Sequence, residues 1–257
     1  MMIANYHTHT PLCRHAKGTV QEYARAAFDA GLKILGFSDH APYVFPEGYY
    51  SHMRMYPGQL EGYVQEVLDT REAFRGQMEL PLGLEMEYYP KFWKETLSLV
   101  RDAGIEYFLL GQHWCGNEMD APYNGKPTDR EEDLARYCNQ VMDAMQTGLF
   151  TYLAHPDLIH FVGSDRVYRH HMGRLCREAR SCGVPLEINL LGLATNRHYP
   201  DIRLWEVVAE ESCPVVIGVD AHSPEAFADK ETESRAQKMV SRFGLNLLET
   251  LELRSIL

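Results

Sequence analysis

Seven short, β-rich apolar runs are spread along the whole chain: Ile3–Tyr6, Ile34–Phe37, Leu80–Leu84, Tyr107–Leu110, Thr151–Ala154, Pro185–Asn189 and Val215–Val219. Most lack the apolar/polar alternation of a half-exposed strand, so they predict parallel strands covered on both faces. Longer amphipathic stretches separate them. Val20, Tyr23, Ala24, Ala27 and Phe28 fall at helical spacing and end at Gly31; Leu97, Val100 and Ala103 end at Gly104; Leu175 and Ala179 end at Gly183. Glycine tolerates the left-handed backbone that closes a helix, and a strand restarts within a residue or two each time. Further helices are predicted near 58–75, 129–146, 201–211 and 225–242, and the tail 244–257 reads as a last strand or a docked segment.

Repeated strand–helix units predict an α/β fold, and seven strands suggest a TIM-like barrel, complete or incomplete. An open doubly wound sheet is the alternative, but no GxGxxG follows the first strand to support a nucleotide site. With 257 residues, 45% of them hydrophobic, the chain has ample length for one barrel-sized domain, 1–257. Residues 41–57 and 114–128, rich in Pro, Gly, Tyr and Asn, read as two long loops over one face.

The net charge of −11 argues against stable nucleic-acid binding, yet allows an anionic substrate where bound metals reverse the local field. No apolar run approaches membrane-spanning length, so no membrane partner is expected. The six cysteines are scattered without a CxxC pair and the amino terminus does not read as a secretory signal, which fits a cytoplasmic protein with reduced thiols.

The polar residues at the strand ends carry the functional argument. His7 and His9 follow the first run, with His15 shortly after. Asp39-His40 follows the second, Glu85 closes the third, His113 follows the fourth, His155 the fifth and Asp220-Ala221-His222 the last. In a parallel barrel these ends share one rim. Taken singly, a histidine here reads as a loop or hydrogen-bonded core residue, and an acid as a helix cap. Jointly they do not: seven of the twelve histidines sit at such ends, whereas His52, His160, His170, His171 and His198 do not. Nitrogen and carboxylate ligands without thiolate suit Zn, Mn or Fe, and nine groups exceed the needs of one ion.

At these residues the chain resembles the polymerase-and-histidinol-phosphatase (PHP) superfamily, and within it the histidinol-phosphate phosphatases. The matching pieces are His7-Thr8-His9-Thr10 with His15, Ser38-Asp39-His40-Ala41-Pro42, Gly83-Leu84-Glu85, Gly111-Gln112-His113, Ala154-His155-Pro156, Glu187-Ile188-Asn189 and Asp220-Ala221-His222. The resemblance implies a distorted seven-stranded (β/α)7 barrel holding three divalent metal ions. His7, His9, Glu85 and Asp220 would hold the first; Glu85 would bridge to the second, completed by His113 and His155; His15, His40 and His222 would hold the third. A metal-bridging hydroxide would then attack the phosphorus of a small phosphorylated substrate. The stretch Trp114-Cys115-Gly116-Asn117-Glu118 departs from the usual histidinol-phosphatase continuation, so nucleotide or sugar phosphates stand as alternative substrates.

Beyond the ligands, Asp39 is a candidate general acid or an outer carboxylate orienting a ligand. Arg197 is the choice for a phosphate clamp and Arg166 its rival. Glu87 could meet a substrate ammonium or be a plain loop carboxylate, Cys13 reads as a small packing residue, and Trp114, Tyr43, Tyr49 and Tyr50 are candidates to wall the pocket or to pack locally within their loops. The rival reaction class is a metal-dependent amidohydrolase, whose sites usually carry a bridging lysine; no lysine falls at a strand end here.

Overall fold

The structure, a computed structural model, describes residues 2–256. In chain order its elements are β1 (Ala4–Asn5), α1 (Val20–Asp29), β2 (Ile34–Leu35), β3 (Phe37–His40), α2 (Leu60–Ala73), β4 (Leu82–Met86), α3 (Trp93–Asp102), β5 (Tyr107–Leu110), α4 (Glu131–Gln146), β6 (Phe150–Leu153), α5 (Asp165–Ser181), β7 (Leu186–Asn189), α6 (Leu190–Ala194), α7 (Ile202–Glu210), β8 (Pro214–Gly218), α8 (Lys230–Phe243) and β9 (Asn246–Leu247). The molecule is an α/β protein. Strands β3 to β9 form one seven-stranded sheet in chain order, every pairing parallel, and β1 pairs with β2 in a separate parallel ribbon.

The helices follow their sequence signals. Thr19 and Glu22 form a reciprocal capping box at the start of α1. Gly31, Gly104 and Gly183 close α1, α3 and α5 with φ of 92°, 79° and 63°. The stretch expected at 225–242 is divided: a 3-10 turn at Pro224–Ala228 precedes α8, because the Asp229 side chain accepts from Thr232 N at 2.9 Å and starts a new helix there.

The tail supplies a last strand, β9, one of the two readings expected of it. Two other strand expectations differ from what is seen. The first run contributes only the short β1, which pairs with β2 outside the seven-stranded sheet. The second run breaks at Gly36 into β2 and β3, so Asp39 and His40 lie within a strand rather than after one. The cause is Tyr107, whose hydroxyl reaches across to the carbonyl oxygens of Tyr6 (2.8 Å) and Phe37 (3.2 Å). A Cβ at Gly36 would stand 2.2 Å from that hydroxyl oxygen, so only glycine leaves it room.

The apolar runs are buried on both faces, as their lack of alternation predicts. Ala4, Tyr6, Tyr107, Leu109, Tyr152, Ala154 and Val216 form one cluster, and the alternate residues Phe108, Leu110, Leu153, Val215 and Ile217 join the larger core shared with the helices. Residues beyond β1 are hydrogen-bonded on two sides. Ser38 N donates to Thr8 O (2.9 Å), while His9 N donates to Ala221 O (2.9 Å) and Ala221 N to His7 O (3.2 Å). His7 and His9 are thereby held between β3 and the residues that follow β8. All six cysteines are free thiols, and among the described residues no helix is long and apolar enough to cross a membrane.

Candidate metal centre

Glu85 lies inside β4, paired in register with His40 of β3 on one side and Leu109 of β5 on the other. Its two carboxylate oxygens face different rings. Oε1 meets His155 Nε2 at 2.9 Å and His113 Nε2 at 3.7 Å; Oε2 meets His40 Nδ1 at 3.0 Å, His9 Nε2 at 3.6 Å and His7 Nε2 at 3.7 Å. Asp220 Oδ1 lies 3.1 Å from His9 Nε2 and 3.4 Å from His7 Nε2. His222 stacks on His9 and on His15, with ring centroids 4.2 and 4.7 Å apart. All nine residues singled out by the sequence therefore converge on one site.

The close approach of Glu85 to its neighbours depends on Gly111, the residue just past β5, where a Cβ would sit 1.9 Å from Glu85 Oε1.

The outer edges of five of these rings are occupied. His7 Nδ1 meets Glu187 Oε1 at 2.8 Å, His9 Nδ1 meets Asp39 Oδ1 at 3.4 Å and His113 Nδ1 meets Glu87 Oε1 at 2.9 Å. His15 and His222 use Nδ1 on the carbonyl oxygens of Cys13 (2.7 Å) and Asp220 (2.9 Å). Fixing one ring nitrogen this way selects the tautomer that leaves the other as a lone-pair donor. The inner atoms are left over. Among the described residues, His7 Nε2, His9 Nε2, His40 Nδ1, His222 Nε2 and both Glu85 oxygens are buried and make no hydrogen bond. Buried polar atoms are almost always satisfied, so a converging set of unsatisfied donor atoms fits divalent cations. Atoms that could ligate lie within 4.8 Å of one another in His7, His9 and Asp220, in His7, Glu85 and His155, and in His9, His40 and His222.

The imidazoles and carboxylates of the cluster shift one another's proton affinities. Burial opposes the charged form of His9, but the Asp220 and Asp39 carboxylates beside its two ring nitrogens lift it to about 9. Burial likewise opposes protonation of His7, and Glu187, Asp220 and Glu85 outweigh it and raise it well above its usual value. Burial, reinforced by neighbouring His9, lowers His222 to about 4 and His40 well below the ordinary range. Against the cost of burial, the surrounding imidazoles hold Glu85 and Asp220 well below the usual carboxylate range.

A raised histidine keeps its proton below its own pKa, and a cation must displace that proton, so affinity rises with pH through the range in which His7 and His9 would hold theirs. Competition titrations of stripped protein between pH 6 and 9 will show an increase of roughly tenfold per pH unit for each proton released. A flat profile would contradict it.

The remaining candidates divide. A cavity of about 320 Å³ opens over the cluster, and Met53, Trp114, Tyr123, Leu158, Leu191, Arg197 and Tyr199 are among its lining residues. Arg197 donates to the Tyr199 hydroxyl at 2.6 Å and stands at the rim. Arg166 is exposed on α5, away from the cavity. Asp39 is fully buried behind His9; Oδ2 accepts from Thr10 N and from the Thr10 hydroxyl, and Oδ1 from His40 N at 2.7 Å. Cys13 is buried, and burial pushes its thiol up.

Glu87 does not face the cavity. It is fully buried, bonded to His113 and to both terminal nitrogens of Arg54, so it has no oxygen to spare for a substrate ammonium. Of the four proposed aromatic walls only Trp114 lines the cavity. Tyr43 and Tyr49 pack with Phe45, and Tyr50 is exposed with its edge toward Tyr56.

Glu187, which enters the sequence reading only inside a matching motif and without a role, and Arg54, which does not enter it, both stand behind the histidine rings. Glu187 had a signal, an acid in the middle of an apolar strand, which requires a buried partner. A Cβ at Gly218 would fall 1.8 Å from its Oε1, so β8 is cut back to admit it. Arg54 and the walls Tyr123 and Tyr199 lie in irregular chain with no periodicity to mark them.

Comparison with known proteins agrees with this arrangement. A family model described as PHP domain matches residues 5–190. A probable histidinol-phosphatase of Deinococcus radiodurans is 34% identical over 255 residues, covering 91% of this chain and 93% of that one. A histidinol-phosphatase of Bacillus subtilis is 32% identical over 117 residues, 42% of each chain. The crystal structure of a histidinol phosphate phosphatase from Lactococcus lactis, complexed with zinc, L-histidinol and phosphate, superposes with a TM-score of 0.72 at 19% identity, covering 98% of this chain and 99% of that one. The chain belongs to the PHP domain family and is a metal-dependent phosphatase similar to the histidinol phosphatases.

Proposed function

We propose that the chain, acting as one domain over 1–257, hydrolyses a small phosphate monoester, histidinol phosphate or a close analogue, at a site for three divalent ions (Zn, Mn or Fe). The observation that carries this reading is the ring of buried histidine nitrogens and Glu85 oxygens that make no hydrogen bond, while the opposite edges of His7, His9 and His222 are pinned. His7, His9, Glu85 and Asp220 would hold the first ion. Glu85, His113 and His155 would hold the second, with Oε1 and Oε2 of Glu85 turned to separate ring sets as a bridge requires. His15, His40 and His222 would hold the third. The hydrogen bonds of His7, Thr8 and His9 to Ala221 and Ser38 support closure of the strands into a distorted seven-stranded (β/α)7 barrel around this cluster.

When bound, the ions would neutralise a phosphate dianion and activate water for in-line attack on phosphorus. The chain's own part is positioning. Glu187, Asp39 and Glu87 fix the rings of His7, His9 and His113; with both Asp39 oxygens already engaged, the orienting role suits it better than that of acid. Arg197 at the rim would clamp phosphoryl oxygens with its planar fork. Its replacement by methionine will raise KM for the phosphate ester about tenfold or more with ion content unchanged, in steady-state assays paired with metal analysis. An unaltered KM would remove Arg197 from phosphate binding.

A second reading, a monoester of another alcohol such as a sugar or nucleoside, is favoured by one observation. Among the described residues the carboxylates lining the cavity are the proposed ligands Glu85 and Asp220, which leaves a substrate ammonium no dedicated partner. An amidohydrolase is disfavoured because no lysine is among the lining residues. A phosphate-release screen with histidinol phosphate, sugar phosphates and nucleoside monophosphates, run beside an N-acyl amino acid, tests the proposal. Release of phosphate from a monoester is expected; turnover of the N-acyl substrate alone would overturn it.

A further inference from the structure

Arg54 is the most deeply buried cation near the site, 1% exposed, and it carries no role in the phosphatase reading above. All five of its N–H donors are used. Nε donates to Glu118 Oε2 (2.9 Å), Nη1 to Ala41 O (3.0 Å) and Glu87 Oε2 (3.0 Å), and Nη2 to Glu87 Oε1 (2.9 Å) and Glu118 Oε2 (2.5 Å). Glu87 spends its Oε1 also on His113 Nδ1, at 2.9 Å. Glu118 belongs to loop 114–128 and ends the stretch Trp114–Glu118 that departs from the family pattern, and its Oε1 accepts from the Tyr49 hydroxyl at 3.1 Å. Three pieces of irregular chain thus meet at one guanidinium placed behind a metal-binding ring. Arg54 and two carboxylates sum to one negative charge. A lone arginine–glutamate pair would leave Glu87 neutralised, whereas Glu118 restores the charge that polarises the N–H of His113 and strengthens its inner nitrogen as a donor.

We propose that Arg54 and Glu118 are a positioning pair that makes ion binding at His113 depend on loop 114–128 being docked over the site. The inference rests on the metal-dependent reading. The loop that walls the substrate cavity through Trp114 and Tyr123 then also governs the ion at Glu85, His113 and His155. A chain whose loop is displaced would keep its other ions and lose this one.

The test uses the full chain stripped of metal and titrated with Zn²⁺ or Mn²⁺, comparing Glu118→Gln and Arg54→Lys with the native sequence. Each variant is expected to bind one ion per chain about 10- to 100-fold more weakly, with the remaining ions and the melting temperature of the stripped Glu118→Gln protein little changed. Because a glutamine side chain is close in shape to glutamate, Glu118→Gln isolates the charge, and it decides the matter alone should Arg54→Lys fail to fold. Identical affinities in Glu118→Gln and the native chain, or an equal loss at every ion site, would overturn the proposal. A native chain that takes up no ion would overturn the metal-dependent reading itself.

Discussion

Replacing Glu85 with alanine will strip two ions from each chain and lower phosphate-ester turnover by at least about a thousandfold, equivalent to roughly 4 kcal/mol of transition-state stabilisation. The size follows from geometry. Oε1 serves His155 and His113, Oε2 serves His40, His9 and His7, and neither oxygen has another hydrogen-bond partner among the described residues. Loss of one carboxylate therefore removes a ligand from two sets at once, which no other residue of the cluster would do. Alanine leaves no charge stranded at the position, so circular dichroism of the variant is expected to stay native while metal analysis and turnover collapse. Full activity in this variant would contradict the assignment.

The second large effect is expected one strand away, at a residue with no chemistry of its own. Gly111→Ala puts a methyl 1.9 Å from Glu85 Oε1, 2.5 Å from Cδ and 2.8 Å from Cγ. No rotation of the methyl relieves that overlap, so either Glu85 turns away from its rings or β5 shifts from β4. Overpacking of this kind costs about 1–3 kcal/mol of stability. The cost to function is greater, because a ligand displaced by an ångström no longer shares a cation with its partners. Turnover about a hundredfold or more below native is expected, with fewer ions per chain and a lowered denaturation midpoint. A native ion count in Gly111→Ala would mean that Glu85 has room the geometry denies it.

Much of this architecture could be read from the residues. The apolar runs specified parallel strands buried on both faces, and glycines at 31, 104 and 183 marked where helices end. Histidines and acids clustering at strand ends pointed to one shared site because a parallel sheet sends all such ends the same way. What escaped was set by contacts between distant residues. The break at Gly36 exists because of a tyrosine far along the chain, Tyr107. Glu87, read as either a substrate partner or a plain loop carboxylate, is neither, because Arg54, more than thirty residues away in sequence, and His113 take both its oxygens. The short helix α6 is too brief for periodicity to signal; it starts because the Asn189 side chain caps Gly192 N at 2.9 Å.

The most direct measurement is anomalous diffraction from crystals grown with Zn²⁺ or Mn²⁺, with the ion count checked by elemental analysis of the same protein. Three ions are expected, each about 2.0–2.3 Å from inner nitrogens or oxygens of His7, His9, His15, His40, Glu85, His113, His155, Asp220 and His222, with Glu85 touching two of them. A lone ion, or ions bound elsewhere with these nine side chains bare, would contradict the account.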